Sequence, residues 1–335
     1  MDNNKMENVK RTRYASLALF MIIVIVIPFV VKSPYLITIG IFIGLYALIS
    51  LGLSLLMGYA GQVSMGQSAF YGIGAYVSAI LTMKCGVNPW LAMILAALFS
   101  TFMAGLLGMV VLRLEGHLLA VATLALCIVF YTIFAQWKSM TGGVDGMPGI
   151  PKLSIGGFTL TRDVHYYYLI WAFLTVILVF SFNVVDSRVG RALRSIHHFQ
   201  GGSEMAAKSL GISPMKYKIQ VFMLSAAYAG IAGSLYVHWL SLVTPSSFGF
   251  LTSIYPLIIV SLGGQGSLWG AIIGAAVFFI VAEAFRALVP ILKPGTSGEY
   301  EILAWGLMII PVMQFLPRGL VSIPDILRGK GKTKG

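Results

Sequence analysis

Charged side chains are scarce in this chain of 335 residues. Asp, Glu, Lys and Arg make up 10% of it, whereas 58% of the residues are hydrophobic. Soluble globular domains have roughly a quarter of their residues charged. The scarcity excludes an ordinary soluble enzyme and leaves a polytopic membrane protein as the class that fits.

Cysteine and clustered metal ligands are equally scarce. The two cysteines, Cys85 and Cys127, have no metal-site spacing and cannot form a disulfide framework. The run at 331–333 resembles the end of a P-loop but lacks the glycine five residues upstream and a preceding strand. We therefore expect no catalytic residues, no bound cofactor or metal, and no ATP hydrolysis by this chain.

Long apolar runs are what the sequence does contain. A bilayer core of about 30 Å requires roughly 20 apolar residues in a helix. The predicted spans are 15–31, 35–57, 66–83, 89–112, 116–137, 166–182, 218–240, 251–263, 268–289 and 300–316. No small-residue cleavage site follows the first run, which disfavours a signal peptide. The span 251–263 is short and contains Pro256, so whether it crosses fully stays open.

The basic residues predict the orientation of these ten spans. With both termini cytoplasmic, 16 of the 23 Lys and Arg residues fall on the cytoplasmic side, as the positive-inside rule requires. The organisation is then a cytoplasmic segment 1–14, a transmembrane domain 15–316 and a basic cytoplasmic tail 317–335. An external loop spans 138–165 and a cytoplasmic loop spans 183–217. The fold class is all-α, with some spans discontinuous.

Two glycine-rich segments echo each other within the apolar sequence. Gly-Gln-x-Ser occurs at 61–64 and again at 264–267, each time between two apolar runs. Irregular backbone at membrane depth must be buried in protein or line a wet cavity, and transporters place broken helices beside their pathways. Close helix packing is the alternative. The residues predicted beside a translocation pathway are Gly61, Gln62, Ser64, Gln67, Gly264, Gln265 and Ser267.

Ionisable residues are nearly missing from the spans, where they would mark proton or ion sites. Glu283 and Arg286 lie three residues apart on one helix, and we interpret them as a structural pair. His238 stands alone near a helix end, where a packed role is favoured over a ligand role.

The cytoplasmic loop contains signals for a short helix. Ser203 can cap its start, Glu204 suits the first turn, and Gly211 suits a left-handed stop. Ser213 and Pro214 then suit the start of the next span. Such a helix can be a docking element or an ordinary solvated one, and the residues alone do not decide between these.

Several ordered blocks resemble the LivM-type permeases of branched-chain amino-acid ABC importers, over about residues 35–320. Residues 204–211 resemble the Glu-Ala-Ala…Gly signature of ABC permeases, although the stretch 197–203 before it is longer than the family pattern. The other blocks are Gly58-Tyr-Ala-Gly-Gln-Val-Ser-Met-Gly-Gln-Ser-Ala-Phe, Thr141-Gly-Gly-Val-Asp-Gly, Gly190-Arg-Ala-Leu-Arg, Ser247-Phe-Gly-Phe and Gly263-Gly-Gln-Gly-Ser-Leu-Trp-Gly.

The resemblance implies a permease subunit in a bacterial or archaeal cytoplasmic (inner) membrane. Expected partners are a second related permease, two cytoplasmic ABC ATPases and an extracytoplasmic binding protein that delivers leucine, isoleucine or valine. Urea, short amides or a sugar are alternative cargoes, and an ion-coupled secondary transporter is the alternative of another class. The implied ATPase-coupling residues are Arg191, Glu204, Ala206, Ala207, Leu210 and Gly211.

Overall fold

The computed structural model describes residues 3–30, 33–196, 203–292 and 319–320. Helices dominate these residues. They are α1 Asn3–Val30, α2 Pro34–Ala60, α3 Gln67–Lys84, α4 Pro89–Val111, α5 His117–Gln136, α6 Lys138–Thr141, α7 Asp163–Asp186, α8 Arg188–Ile196, α9 Glu204–Ser209, α10 Pro214–Leu240, α11 Phe250–Gly263 and α12 Leu268–Leu292.

Nine of the predicted spans coincide with helices, because each apolar run is long enough to specify one. The tenth, 300–316, and the tail 317–335 lie outside the described residues except for 319–320. Within the described residues, seven helical segments are long and apolar enough to cross a membrane. The protein is therefore all-α and multi-pass. The helix α11 has only 14 residues, about 21 Å at 1.5 Å per residue, so it is shorter than a bilayer core unless the 3-10 turn Pro245–Phe248 extends it.

Both predicted hydrophilic loops are shorter than expected. The helix α7 begins at Asp163, and the segment before it contains α6, a 3-10 turn at Gly143–Asp145 and two-stranded pairings. At its C-terminal end, α7 continues to Asp186. The helices α8 and α9 and the first turn of α10 then occupy most of 183–217. The stretch 197–202, where the sequence departs from the family pattern, lies outside the described residues.

The helices α2, α3, α4 and α10 pack at the centre of the molecule. Small residues permit this packing, since a side chain at Gly74 would strike the backbone of Gly230. Such close approaches are what hold membrane helices together, because lipid provides no hydrophobic drive between them. By contrast, α4 and α5 expose apolar side chains such as Leu98 and Val121, which suits contact with lipid.

The segment between α6 and α7 is fastened to the end of α10. The strand β1 (Met147–Pro148) pairs antiparallel with β4 (Leu242–Val243), and β2 (Ser154–Ile155) pairs with β3 (Phe158–Thr159). His238 is fully buried, with Nδ1 2.7 Å from the Pro151 carbonyl and Nε2 2.9 Å from Ser78 Oγ. Its packed role is thereby confirmed.

Candidate functional site

The first glycine-rich segment breaks the chain between α2 and α3. Gly61 ends α2 with φ 66°, in the left-handed region that favours glycine, and its N–H returns to the Leu56 carbonyl. Residues 61–66 are not helical, and α3 begins at Gln67. The sequence therefore correctly predicted an interruption between the two helices.

The second glycine-rich segment lies directly against the end of α2. A Cβ added to Gly58 would lie less than 3.0 Å from the backbone of Gly266. Beside it, Ser54 Oγ donates a hydrogen bond to the Ser267 carbonyl at 3.3 Å. These contacts hold the second segment against the last turns of α2, close to where the first segment begins, although more than 200 residues separate the bonded pair.

Three polar side chains of the first segment are buried. Gln62, Ser64 and Gln67 are 7%, 1% and 0% exposed. The Gln67 amide donates to Ser225 Oγ of α10 at 3.0 Å, whereas the Oε1 atoms of Gln62 and Gln67 have no partner among the described residues. A buried polar atom without a partner costs free energy, and such costs are tolerated where function needs them.

The first segment also contacts α5 and α11. The Met65 N–H donates to Thr123 Oγ1 at 2.9 Å, and Ser253 Oγ donates to the Met65 carbonyl. Gly66 has Thr123 so close that a side chain there would strike its backbone. The break between α2 and α3 is therefore a junction of five helices, α2, α3, α5, α10 and α11.

The second segment is more open. Gly264 is buried and has φ 112°, Gln265 is exposed, and Ser267 is half-buried. The Ser267 hydroxyl accepts from the Gly270 N–H at 3.1 Å. The glycines that follow this segment permit close packing, because side chains at Gly270 and Gly274 would strike the carbonyls of Gly263 and Ile259.

The predicted short helix on the other hydrophilic stretch is α9. Ser203 Oγ accepts from the Ala206 N–H at 3.5 Å, and Gly211 has φ 77°, so both capping predictions are confirmed. Ser213 precedes α10 but makes no side-chain capping bond, which differs from the sequence prediction.

The apolar residues of α9 do not form one exposed face. Ala207 is 1% exposed and packs inward, whereas Ala206 is exposed and Leu210 is 78% exposed. Met205, which sequence reasoning did not single out, is 83% exposed. The outward apolar surface of α9 and its C-cap residue is therefore formed by Met205, Ala206 and Leu210.

An ion pair joins α9 to α10, and no pattern in the sequence predicts it. The Lys218 ammonium contacts Glu204 Oε1, and the two side chains are 5% and 29% exposed. A buried cation without its partner is strongly destabilising. Lys218 lies four residues after Pro214 in a basic stretch, and the composition of that stretch suggested a solvated side chain.

Two arginines of α8 bond the end of α7. Arg191 Nη1 donates to the Asp186 carbonyl at 3.0 Å, and Arg194 Nη2 donates to the Val185 carbonyl at 2.8 Å. Basic side chains at a helix C-terminus bind its last carbonyls and suit its dipole. The observed bond of Arg191 is thus made within the subunit.

A cavity of about 560 Å³ lies between α9, the start of α10 and the α4–α5 turn. Its rim carries charges of both signs, including Arg113, Glu115, Lys208 and the Glu204–Lys218 pair. It places the α4–α5 turn beside α9 on one end of the molecule.

Similarity to known proteins identifies the family to which the chain belongs. The family described as "Branched-chain amino acid transport system / permease component" matches residues 35–313. This chain belongs to that family. The match includes both glycine-rich segments, α9 and every helix from α2 to α12.

Named relatives of this permease agree. It is 31% identical to "High-affinity branched-chain amino acid transport system permease protein LivM" of Salmonella typhimurium, over 87% of this chain and 71% of the relative. The Escherichia coli LivM is 30% identical over the same shares. The Pseudomonas aeruginosa permease protein BraD is 27% identical over 84% and 92%. No solved structure matches the chain. The chain is thus a membrane-embedded transport component.

Proposed function

We propose that this permease is the membrane-spanning subunit of an ATP-driven importer of branched-chain amino acids. The observation that carries the proposal is the family match over residues 35–313, supported by relatives whose names state that transport. We also propose that the chain has ten spans, with both termini on the cytoplasmic side of a bacterial or archaeal membrane.

The complex that we propose has a second, related permease, two cytoplasmic ABC ATPases and an external binding protein for leucine, isoleucine or valine. The chain is also 25% identical to proteins named LivH, a second kind of permease of such systems. Relatives of two kinds within one transport system support a heterodimer of permeases.

In this proposal α9 couples the ATPases to the pathway. Its outward residues Met205, Ala206 and Leu210 dock in a groove of an ATPase, while Ala207, Glu204 and Gly211 fix its position and Arg191 supports α8 beside it. Movement of α9 passes to α10 through the Glu204–Lys218 pair. Because α10 bonds Gln67 through Ser225, that movement reaches the break at 61–66.

The pathway in this proposal lies beside the two glycine-rich segments. Gly61, Gln62, Ser64 and Gln67 supply the first segment, and Gly264, Gln265 and Ser267 supply the second. Weak polar contacts suit a conduit, since tight binding inside it slows release.

Uptake by the reconstituted complex tests the function. Vesicles containing both permeases, the ATPases and the binding protein are expected to accumulate radiolabelled leucine with ATP and to stop with a non-hydrolysable analogue. Titration of the binding protein with leucine, urea and ribose identifies the cargo. Uptake driven by a proton or sodium gradient without ATP would contradict the proposal.

Co-purification of the ATPase tests the coupling role. We expect Met205→Ser and Leu210→Ser to lower ATPase retention about tenfold each, because exposed apolar side chains at an interface centre carry much of its affinity. Val144→Ser is the matched control, since Val144 is 72% exposed on the opposite end of the molecule. Unchanged retention in both α9 variants would refute docking through this surface.

A further inference from the structure

A second cavity, of about 280 Å³, lies between α2, α11 and α12. It is at the end of the molecule that holds the 137–162 segment, because Phe42 on its wall packs edge-on against Trp239 at the end of α10. The coupling helix α9 is at the other end. In the proposed orientation this cavity lies toward the external side, where cargo arrives.

Three polar side chains stand at the rim of this cavity. Tyr35 donates from its hydroxyl to Glu283 Oε1 at 2.7 Å. Arg286 Nη1 lies 4.0 Å from Glu283 Oε2, and the Arg286 and Glu283 side chains are 56% and 27% exposed. The predicted pair is confirmed, but its contact is long. The Glu283 carboxylate, which the Tyr35 hydroxyl orients, therefore lies beside the Arg286 guanidinium at the mouth of the cavity.

The inner wall of the cavity is aromatic. Tyr46 and Phe279 have ring centroids 5.3 Å apart, Tyr255 and Phe278 5.2 Å, and Phe278 and Phe279 5.3 Å. Such rings give an apolar recess with electron-rich faces. Small-molecule sites characteristically combine an apolar recess with a few placed polar groups.

We propose that this cavity is an entry site for a free zwitterionic amino acid with an aliphatic side chain. Its ammonium binds Glu283, its carboxylate binds Arg286, and its side chain enters the aromatic recess. A single charge at the rim would suit an amine or a fatty acid. Two opposite charges one helical turn apart match the ammonium and the carboxylate that an amino acid carries on one carbon. The proposal rests on the proposed function for the direction of delivery.

A zwitterionic lipid headgroup has the same chemistry, and the experiment separates the two sources. The full chain is placed in nanodiscs of phosphatidylglycerol, whose headgroup carries no cation, and saturation-transfer NMR measures binding of L-leucine at about 1 mM, where weak complexes are populated. Isopentylamine keeps the ammonium of leucine, and 4-methylpentanoate keeps its carboxylate. Phosphatidylethanolamine is then added as a competitor.

Two variants should separate binding of the ligand's ammonium from binding of its carboxylate. Glu283→Gln is expected to weaken leucine and isopentylamine about tenfold and to spare 4-methylpentanoate, since one charge-assisted contact is lost. Arg286→Gln should show the reverse pattern. Asp145→Asn and Arg162→Gln are the matched controls, because both side chains are exposed outside the cavity. Thermal melting of every variant verifies its fold.

Several outcomes would overturn the site. These are no saturation transfer to leucine in the parent chain, equal loss of all three ligands in both variants, or full displacement of leucine by phosphatidylethanolamine. The proposed function fails separately, because it depends on ATP-driven uptake by the complete complex. Charge-selective leucine binding without such uptake would preserve the site and refute the function.

Discussion

Gln67 is the residue at which packing and function can be separated most directly. It is fully buried, bonds Ser225 through its amide nitrogen, and has an Oε1 without a partner among the described residues. An unsatisfied buried group costs about 1–3 kcal/mol. If position 67 contributed to stability alone, an apolar residue of similar size would thus be more favourable there.

We therefore expect Gln67→Leu to keep or raise the melting temperature and to lower the rate of leucine uptake about tenfold, the effect of roughly 1.4 kcal/mol on a barrier. Melting in detergent and vesicle uptake are the two measurements. Gln136→Leu, at the exposed end of α5, should change neither. Unimpaired uptake with raised stability would show that Gln67 is only a packed residue.

At the scale of elements, the attachment of α9 depends on the Glu204–Lys218 pair. Removing Glu204 leaves the nearly buried Lys218 ammonium without its partner, which costs about 3–5 kcal/mol in comparable buried pairs. Removing both charges leaves no such orphan.

We therefore expect Glu204→Ala to lose stability and ATPase retention together, and Glu204→Ala with Lys218→Met to recover most of the stability. If the pair also transmits movement, the double variant should bind the ATPase yet hydrolyse ATP without accumulating leucine. Glu115→Ala, an exposed acid on the same cavity rim, is the control. A double variant that transports normally would show that the pair is only an anchor.

The elements also show what the sequence could predict. Nine apolar runs gave nine helices because run length and hydropathy are local properties, and Ser203 and Gly211 gave the ends of α9 because capping is local too. The partner of Lys218, the pairing of β1 with β4 and the contact of Gly58 with Gly266 depend on residues distant in the sequence. No periodicity marks such contacts.

At the scale of the whole molecule, the two ends differ in chemistry. One end holds α8, α9 and the basic start of α10, and the other holds the 137–162 segment and the cavity with Glu283 and Arg286. Between them lies the junction of five helices at residues 61–66. The proposed importer assigns the energy input to the first of these ends and the cargo entrance to the second.

The orientation of these ends is testable with the cysteines that the chain already has. Cys85 is exposed at the end of α3, near the 137–162 segment because Lys84 bonds the Ser139 carbonyl, whereas Cys127 is buried. We expect a membrane-impermeant maleimide to label Cys85 in intact spheroplasts and to leave Cys127 unmodified. Cys85→Ser should abolish that labelling. In the Cys85→Ser background, expressed without the ATPases so that α9 is uncovered, Met205→Cys should react only in inverted vesicles, because α9 faces the cytoplasm in the proposed topology. Labelling of Met205→Cys in intact spheroplasts would reverse the orientation and remove α9 from reach of any cytoplasmic ATPase.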